Sequence, residues 1–135
     1  MLRHLSVAGL VVLALQFCSH AARADCAENQ TEFDDVYCWA KAYIASDDDL
    51  NAAYKALTAK LDTDAKAVLK KGQRAWIKAR DGDCGRSDSD DYYVDLSCAA
   101  DFTENRTQFL RDREKECEAG KCDLAKLAEV TPSGE

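Results

Sequence analysis

Histidine is scarce: the chain has two, His4 and His20, and both lie near its start. They fall in a stretch with the marks of a secretory leader. Met1–His4 is a short basic start carrying Arg3, Leu5–Cys18 is an almost unbroken apolar run, and Ala22-Arg23-Ala24 is a small-x-small cleavage signal. The apolar run is too short to span a membrane and reads as a signal peptide. Cleavage after Ala24 is expected to leave 111 of the 135 residues, none of them histidine. Such a chain has no Ser-His or Cys-His nucleophile and no histidine-ligated metal.

Large aliphatic residues are also few. Leu, Ile, Val and Phe together make up 17 of those 111 residues. Acids outnumber bases, 25 to 18, and because the leader holds two arginines and no acid, the net charge moves from −7 to −9 on cleavage. Few aliphatics with a high net charge is the composition of a disordered chain. Two features override it: seven large aromatics (Trp39, Trp76 and five tyrosines) and a set of cysteines able to cross-link the fold. The acidic balance argues against nucleic acid and anionic lipid as partners and permits a cationic protein.

Cys18 sits inside the leader, preceded by Gln16-Phe17 rather than the small residues of a lipoprotein signal. Six cysteines follow: Cys26, Cys38, Cys84, Cys98, Cys117 and Cys122. An even number in a small exported chain reads as a disulfide framework. Sequence alone does not choose among the pairings. The local set, Cys26 with Cys38, Cys84 with Cys98 and Cys117 with Cys122, is the expectation. A bridge closing about 15 residues is worth about 3 kcal/mol in the chain-entropy picture. Cys-x4-Cys at 117 and 122 lacks a second close pair, and no Cys-x-x-Cys is present, so neither a metal nor a redox centre is expected. No cofactor is implied.

The remaining pattern is helical. Thr31–Ala45 places Phe33, Val36, Tyr37, Ala40 and Ile44 on one face. Thr31 with Asp34 resembles a capping box, and Ser46 followed by Asp47-Asp48-Asp49 reads as a second helix start. A second stripe runs Leu50, Ala53/Tyr54, Leu57, Leu61, and a third runs Ala65, Val68, Leu69, Gly72, Trp76, Ala79. Asp62-Thr63-Asp64 caps or kinks between them. Gly72 is expected to let another helix come close. The third stripe should end near Asp81-Gly82, before a polar loop at Cys84–Asp91. A last main helix from about Val94 to Glu116 buries Leu96, Ala99, Phe102, Phe109 and Leu110, with Gly120 as its cap. Asp123–Glu129 is expected to form a short helical tail and Thr131–Glu135 to be disordered. The predicted fold is all-α: a small antiparallel bundle of three to four helices stapled by disulfides. Residues 1–24 are leader, 25–122 the helical domain and 123–135 a short tail.

Some helix faces mix polar side chains with aromatics. Leu69, Gln73, Trp76 and Arg80 share one face, as do Asp47, Leu50, Asn51 and Tyr54, and Phe102, Thr103, Arg106, Phe109 and Leu110 cluster similarly. The favoured reading is a half-buried hydrogen-bond network joining three helices, with Asp47 as carboxylate partner for an arginine. The competing reading is a pocket.

These residues also carry a likeness. Asp47-x-x-Leu50-Asn51-x-x-Tyr54, the run Leu69 to Cys84 with Gln73-Arg74-Ala75-Trp76-Ile77-x-x-Arg80-Asp81 inside it, and Cys98-x4-Thr103-x-x-Arg106 resemble the LprI-type lysozyme-inhibitor domain. The resemblance runs from about Cys26 to Arg113. It implies a small exported bacterial helical domain with disulfides, periplasmic or secreted, that binds and inhibits a lysozyme. Cys117 and Cys122 lie outside the family's usual pattern.

The function expected is therefore binding rather than catalysis. Lysozymes are commonly cationic, and an acidic protein is steered toward them. The Cys84–Cys98 segment is the candidate contact loop. Arg86 would face the paired carboxylates of a glycosidase, Asp88, Asp90 and Asp91 would meet basic residues at the cleft rim, and Tyr92 or Tyr93 would anchor. The alternative is an envelope interaction module, or an immunity-type partner for another secreted protein, also non-enzymatic. A Ca²⁺ loop at Asp81–Asp91 does not fit the spacing such loops need.

Overall fold

The computed structural model describes Cys26 and residues 31–130. The leader expected at 1–24 and the tail end at 131–135 lie outside the described residues. The elements are α1 (Glu32–Lys60), α2 (Thr63–Cys84), β1 (Gly85–Asp88), β2 (Asp91–Val94), α3 (Leu96–Glu118) and α4 (Leu124–Leu127). Successive main helices run antiparallel, so α1 and α3 lie side by side in the same direction. Contacts in order along both show it: Ser46 with Glu104, Asp49 with Arg111 and Lys60 with Glu118. Among the described residues no helix is long and apolar enough to cross a membrane.

Helix starts follow the local chemistry. Thr31 Oγ1 accepts from Asp34 N (3.1 Å), Asp62 Oδ1 from Ala65 N (2.8 Å) and Asp95 Oδ1 from Cys98 N (3.0 Å). At the end of α3, Gly120 takes φ +72°, Lys121 N donates to Glu116 O (2.9 Å) and Gly120 N to Cys117 O (3.0 Å). That is a Schellman ending, which glycine adopts without strain.

Ser46 corrects the expected second start: α1 continues through it. Its hydroxyl donates to the Ala42 carbonyl one turn back, at 3.0 Å, and the residue is buried. The seam explains why. Ala42, Ser46 and Ala53 of α1 and Ala99, Ala100, Thr103 and Thr107 of α3 are all buried and small. Small side chains let two backbones approach closely. Thr103 and Thr107 donate to Ala99 O and Thr103 O, so the seam holds hydroxyls without leaving them unpaired. Burial along this seam outweighs the capping tendency of one serine.

The core lies where the three main helices meet, around Leu50, Leu57, Leu69, Trp76, Phe109 and Leu110. Residues 123–130, set apart by sequence as a tail, add Leu127 to it. The first stripe is not what α1 buries. Phe33, Val36, Tyr37 and Ile44 are exposed, and only Ala40 is half-buried.

Cys84–Asp91 is not an irregular loop. A two-stranded antiparallel hairpin pairs Gly85 with Val94, Arg86 with Tyr93, Ser87 with Tyr92 and Asp88 with Asp91. Tyr92-Tyr93-Val94 is a good strand former, but its partner Gly85-Arg86-Ser87-Asp88 shows no apolar alternation to mark it. α2 consequently runs on to Cys84, and α3 begins at Leu96 behind its Asp95 cap.

The bridges join Cys26 to Cys38, Cys84 to Cys98 and Cys117 to Cys122. The first ties Cys26 to α1, the second closes the base of the hairpin, and the third spans the turn after α3.

Candidate functional site

The hairpin stands on a fixed base. The Cys84–Cys98 bridge joins the end of α2 to the start of α3, and Asp95 N donates to Cys84 O at 2.9 Å. Tyr92 lays its ring back over Gly85 and donates its hydroxyl to the Asp81 carbonyl at 3.0 Å. A Cβ on Gly85 would collide with both the Tyr92 ring and the Asp81 carbonyl, so this position needs glycine. Ser89, in the two-residue tip, has φ +51°. Hairpin tips of two residues require such a conformation to match strand twist.

Strand alternation sorts the candidate contact residues. Arg86, Asp88, Asp91 and Tyr93 share one face, Asp90 sits at the tip, and Tyr92 points the other way. On the shared face Arg86 lies over the Tyr93 ring (5.8 Å), and Tyr93 donates to Asp91 Oδ2 (3.4 Å). All six are exposed. The structure therefore brings four of them into one patch, leaves Asp90 at its edge and assigns Tyr92 to anchoring the hairpin.

Beneath the hairpin is an open hollow of about 330 Å³, bounded by Tyr43, Arg80, Tyr92, Val94 and Leu96 among others. Arg80 lies over both the Trp76 ring (5.2 Å) and the Tyr43 ring (5.6 Å). Its Nε and Nη2 donate to Asp81 Oδ1 at 3.0 and 2.9 Å. Tyr43 stands two turns on from Val36, at the edge of the first stripe, and sequence reasoning did not single it out.

Asp95 is held below the ordinary carboxylate range, first by the Cys98 amide and then by the Ser97 hydroxyl, with Arg86 a smaller contributor. A carboxylate stabilised in its charged form serves as a cap, not as a proton donor.

The polar helix faces divide into two groups. Arg106, fully buried, donates from Nε to Gln73 Oε1 (2.9 Å) and from Nη1 to the Glu129 carbonyl (2.7 Å). Its guanidinium lies 4.2 Å from the Phe109 ring centre and 5.9 Å from that of Trp76. Burial pushes its pKa down to about 10, so it stays cationic at neutral pH. Asp47 is not part of this group, contrary to the expectation: it accepts from Asn51 one turn on at 3.0 Å. The reason is geometric, since α1 meets α3 through its small-residue seam while Asn51 is exposed on α1's outer side. Tyr54 packs half-buried against the core. The partner missed by sequence is the Glu129 carbonyl, which carries no side-chain signature. Arg106 thus links α3 to Gln73 of α2 and to the segment after α4, and the Trp76 ring neighbours both the Arg106 and the Arg80 guanidinium.

Among the described residues, no group of three or more His, Cys, Asp or Glu side chains is placed to hold a metal ion. Three comparisons bear on what this arrangement does. A family model described as "Lysozyme inhibitor LprI" matches residues 22–110. An uncharacterized protein of Rhizobium meliloti (strain 1021) is 30% identical over 107 residues, covering 65% of this chain and 77% of that protein. No solved structure matches the chain.

Proposed function

The chain belongs to the LprI lysozyme-inhibitor family, and from that premise we propose that it binds and inhibits a lysozyme-type cell-wall hydrolase. It acts outside the cytoplasm, in the periplasm or beyond, after a leader is removed near Ala24. Three disulfides accord with such a compartment. The family is one of inhibitors and not of enzymes. The observation that carries the reading is the family match, which spans α1, α2, the hairpin and most of α3.

The geometry supports a mode of action. A narrow hairpin fixed at its base loses little conformational entropy on binding. Its patch of Arg86, Asp88, Asp91 and Tyr93, with Asp90 at the tip, is acidic and carries one aromatic anchor. Arg86 faces the carboxylates of a glycosidase cleft, and the aspartates meet the basic rim.

The test is turnover of a panel of lysozymes with oxidised and reduced protein side by side. Inhibition by the oxidised form, weakening as salt rises, is expected. No inhibition of any member at micromolar protein in low salt overturns the reading. Recovery of a single non-lysozyme partner from an envelope extract would then favour an interaction or immunity module.

A further inference from the structure

The first half of α1 has two apolar faces. One, with Ala42 and Ser46, is buried against α3. The other lies roughly opposite at about 100° per residue. It consists of Phe33, Val36, Tyr37 and Ile44, exposed at 76, 59, 56 and 61%. The Phe33 and Tyr37 rings are parallel, with centroids 6.4 Å apart. Among the described residues nothing covers these four side chains, which form a strip about 16 Å long.

Three observations say what covers it. The first is charge. Residues 32–49 hold six acids and one lysine, and the lysine, Lys41, sits 4.6 Å over the Tyr37 ring. Glu32 and Asp34 flank one end of the strip and Asp47 and Asp48 the other. A second copy laid strip to strip, in either direction, sets acids against acids. A cationic surface meets opposite charge at both ends. The second is continuity. Tyr43 lies on the flank of α1 next to Val36, and it lines the hollow below the hairpin together with Tyr92 and Val94. Hairpin, hollow and strip therefore adjoin. The third is size. Four side chains cover less than the roughly 800 Å² per partner of a standard interface. Together with the hairpin, the strip brings the contact area toward that value.

We propose that the exposed strip Phe33-Val36-Tyr37-Ile44 is a second contact surface for the same cationic protein that the hairpin engages. This rests on the inhibitor reading above and adds the apolar half of the interface. The hairpin supplies charge and approach, and the strip supplies apolar burial that holds the complex once formed.

The experiment uses the full oxidised protein and a Val36→Ser/Ile44→Ser variant. It measures affinity for the lysozyme the wild type inhibits best, melting temperature, and mass by light scattering. The expected result is affinity lower by about tenfold or more, mostly through faster dissociation, with unchanged melting and a monomer in both cases. Unchanged affinity overturns the strip proposal and leaves the inhibitor reading standing. A wild type that inhibits no lysozyme overturns both. A dimer lost in the variant assigns the strip to a second copy. A melting point lowered by several degrees shows that the strip is covered within its own chain.

Discussion

At the residue scale the fold depends on a few side chains with specific hydrogen-bond partners. Arg106 joins α3 to Gln73 of α2 and to the carbonyl of Glu129 beyond α4. Lysine keeps the charge but lacks the planar fork that reaches both acceptors while lying on Phe109. Arg106→Lys is therefore expected to cost about 1–3 kcal/mol, read as a fall in melting temperature. Asp95 makes a pH prediction. Its pKa in the folded protein is depressed, so its contribution is complete above the usual carboxylate range near 4. The contribution is lost as pH falls through the lowered folded value. Asparagine caps as well as aspartate but does not titrate. Asp95→Asn should melt near the wild type at pH 7 and lose less stability on acidification, as followed by thermal melts from pH 7 to pH 2.

At the element scale, the hairpin and α4 show what helical periodicity misses. Ser89 sits at φ +51°, where a Cβ is unfavourable. Ser89→Gly should leave stability within about 1 kcal/mol of the wild type, relief of strain offsetting glycine's extra freedom in the unfolded chain. A loss well beyond that would give the Ser89 hydroxyl a role in the tip. α4 docks over Gly72: a Cβ there would stand 2.8 Å from the Leu127 carbonyl oxygen and 3.2 Å from that of Ala128. Leu127 is fully buried beside it. Gly72→Val should push the segment off α2 and cost about 1–3 kcal/mol. Faster amide exchange at residues 124–130 with little change elsewhere would locate the loss. The expected close approach at Gly72 thus occurs, through a four-residue helix rather than a main one.

At the scale of the whole molecule, a core with few large aliphatics is closed by covalent ties. The Cys84–Cys98 bridge closes 14 residues. Serine at both positions should cost about 3 kcal/mol and free the base of the hairpin. If inhibition works as proposed, this variant inhibits less well even at a temperature where its helices are intact by circular dichroism. Charge acts over the same scale. Reversing Asp88, Asp90 and Asp91 to lysine should slow association and flatten its salt dependence, as read by stopped flow. An unaltered association rate would remove the hairpin from the contact.

Composition and periodicity by themselves determined the helical class, the caps at Thr31 and Asp62, the Gly120 ending and the stripes that meet in the core. Each depends on neighbours within a turn or two of helix, and such chemistry is written in order along the chain. Only the folded molecule decided that α1 runs unbroken through Ser46, because the opposing surface of α3 lies more than fifty residues away. It also decided that Phe33, Tyr37 and Ile44 face solvent. A helix with two apolar faces has no local rule for choosing which one to bury, and the small-residue seam allowed the closer approach. Arg106, not Arg80, became the deeply buried cation, since its acceptors on Gln73 and Glu129 come together only when α2, α3 and the segment after α4 are assembled.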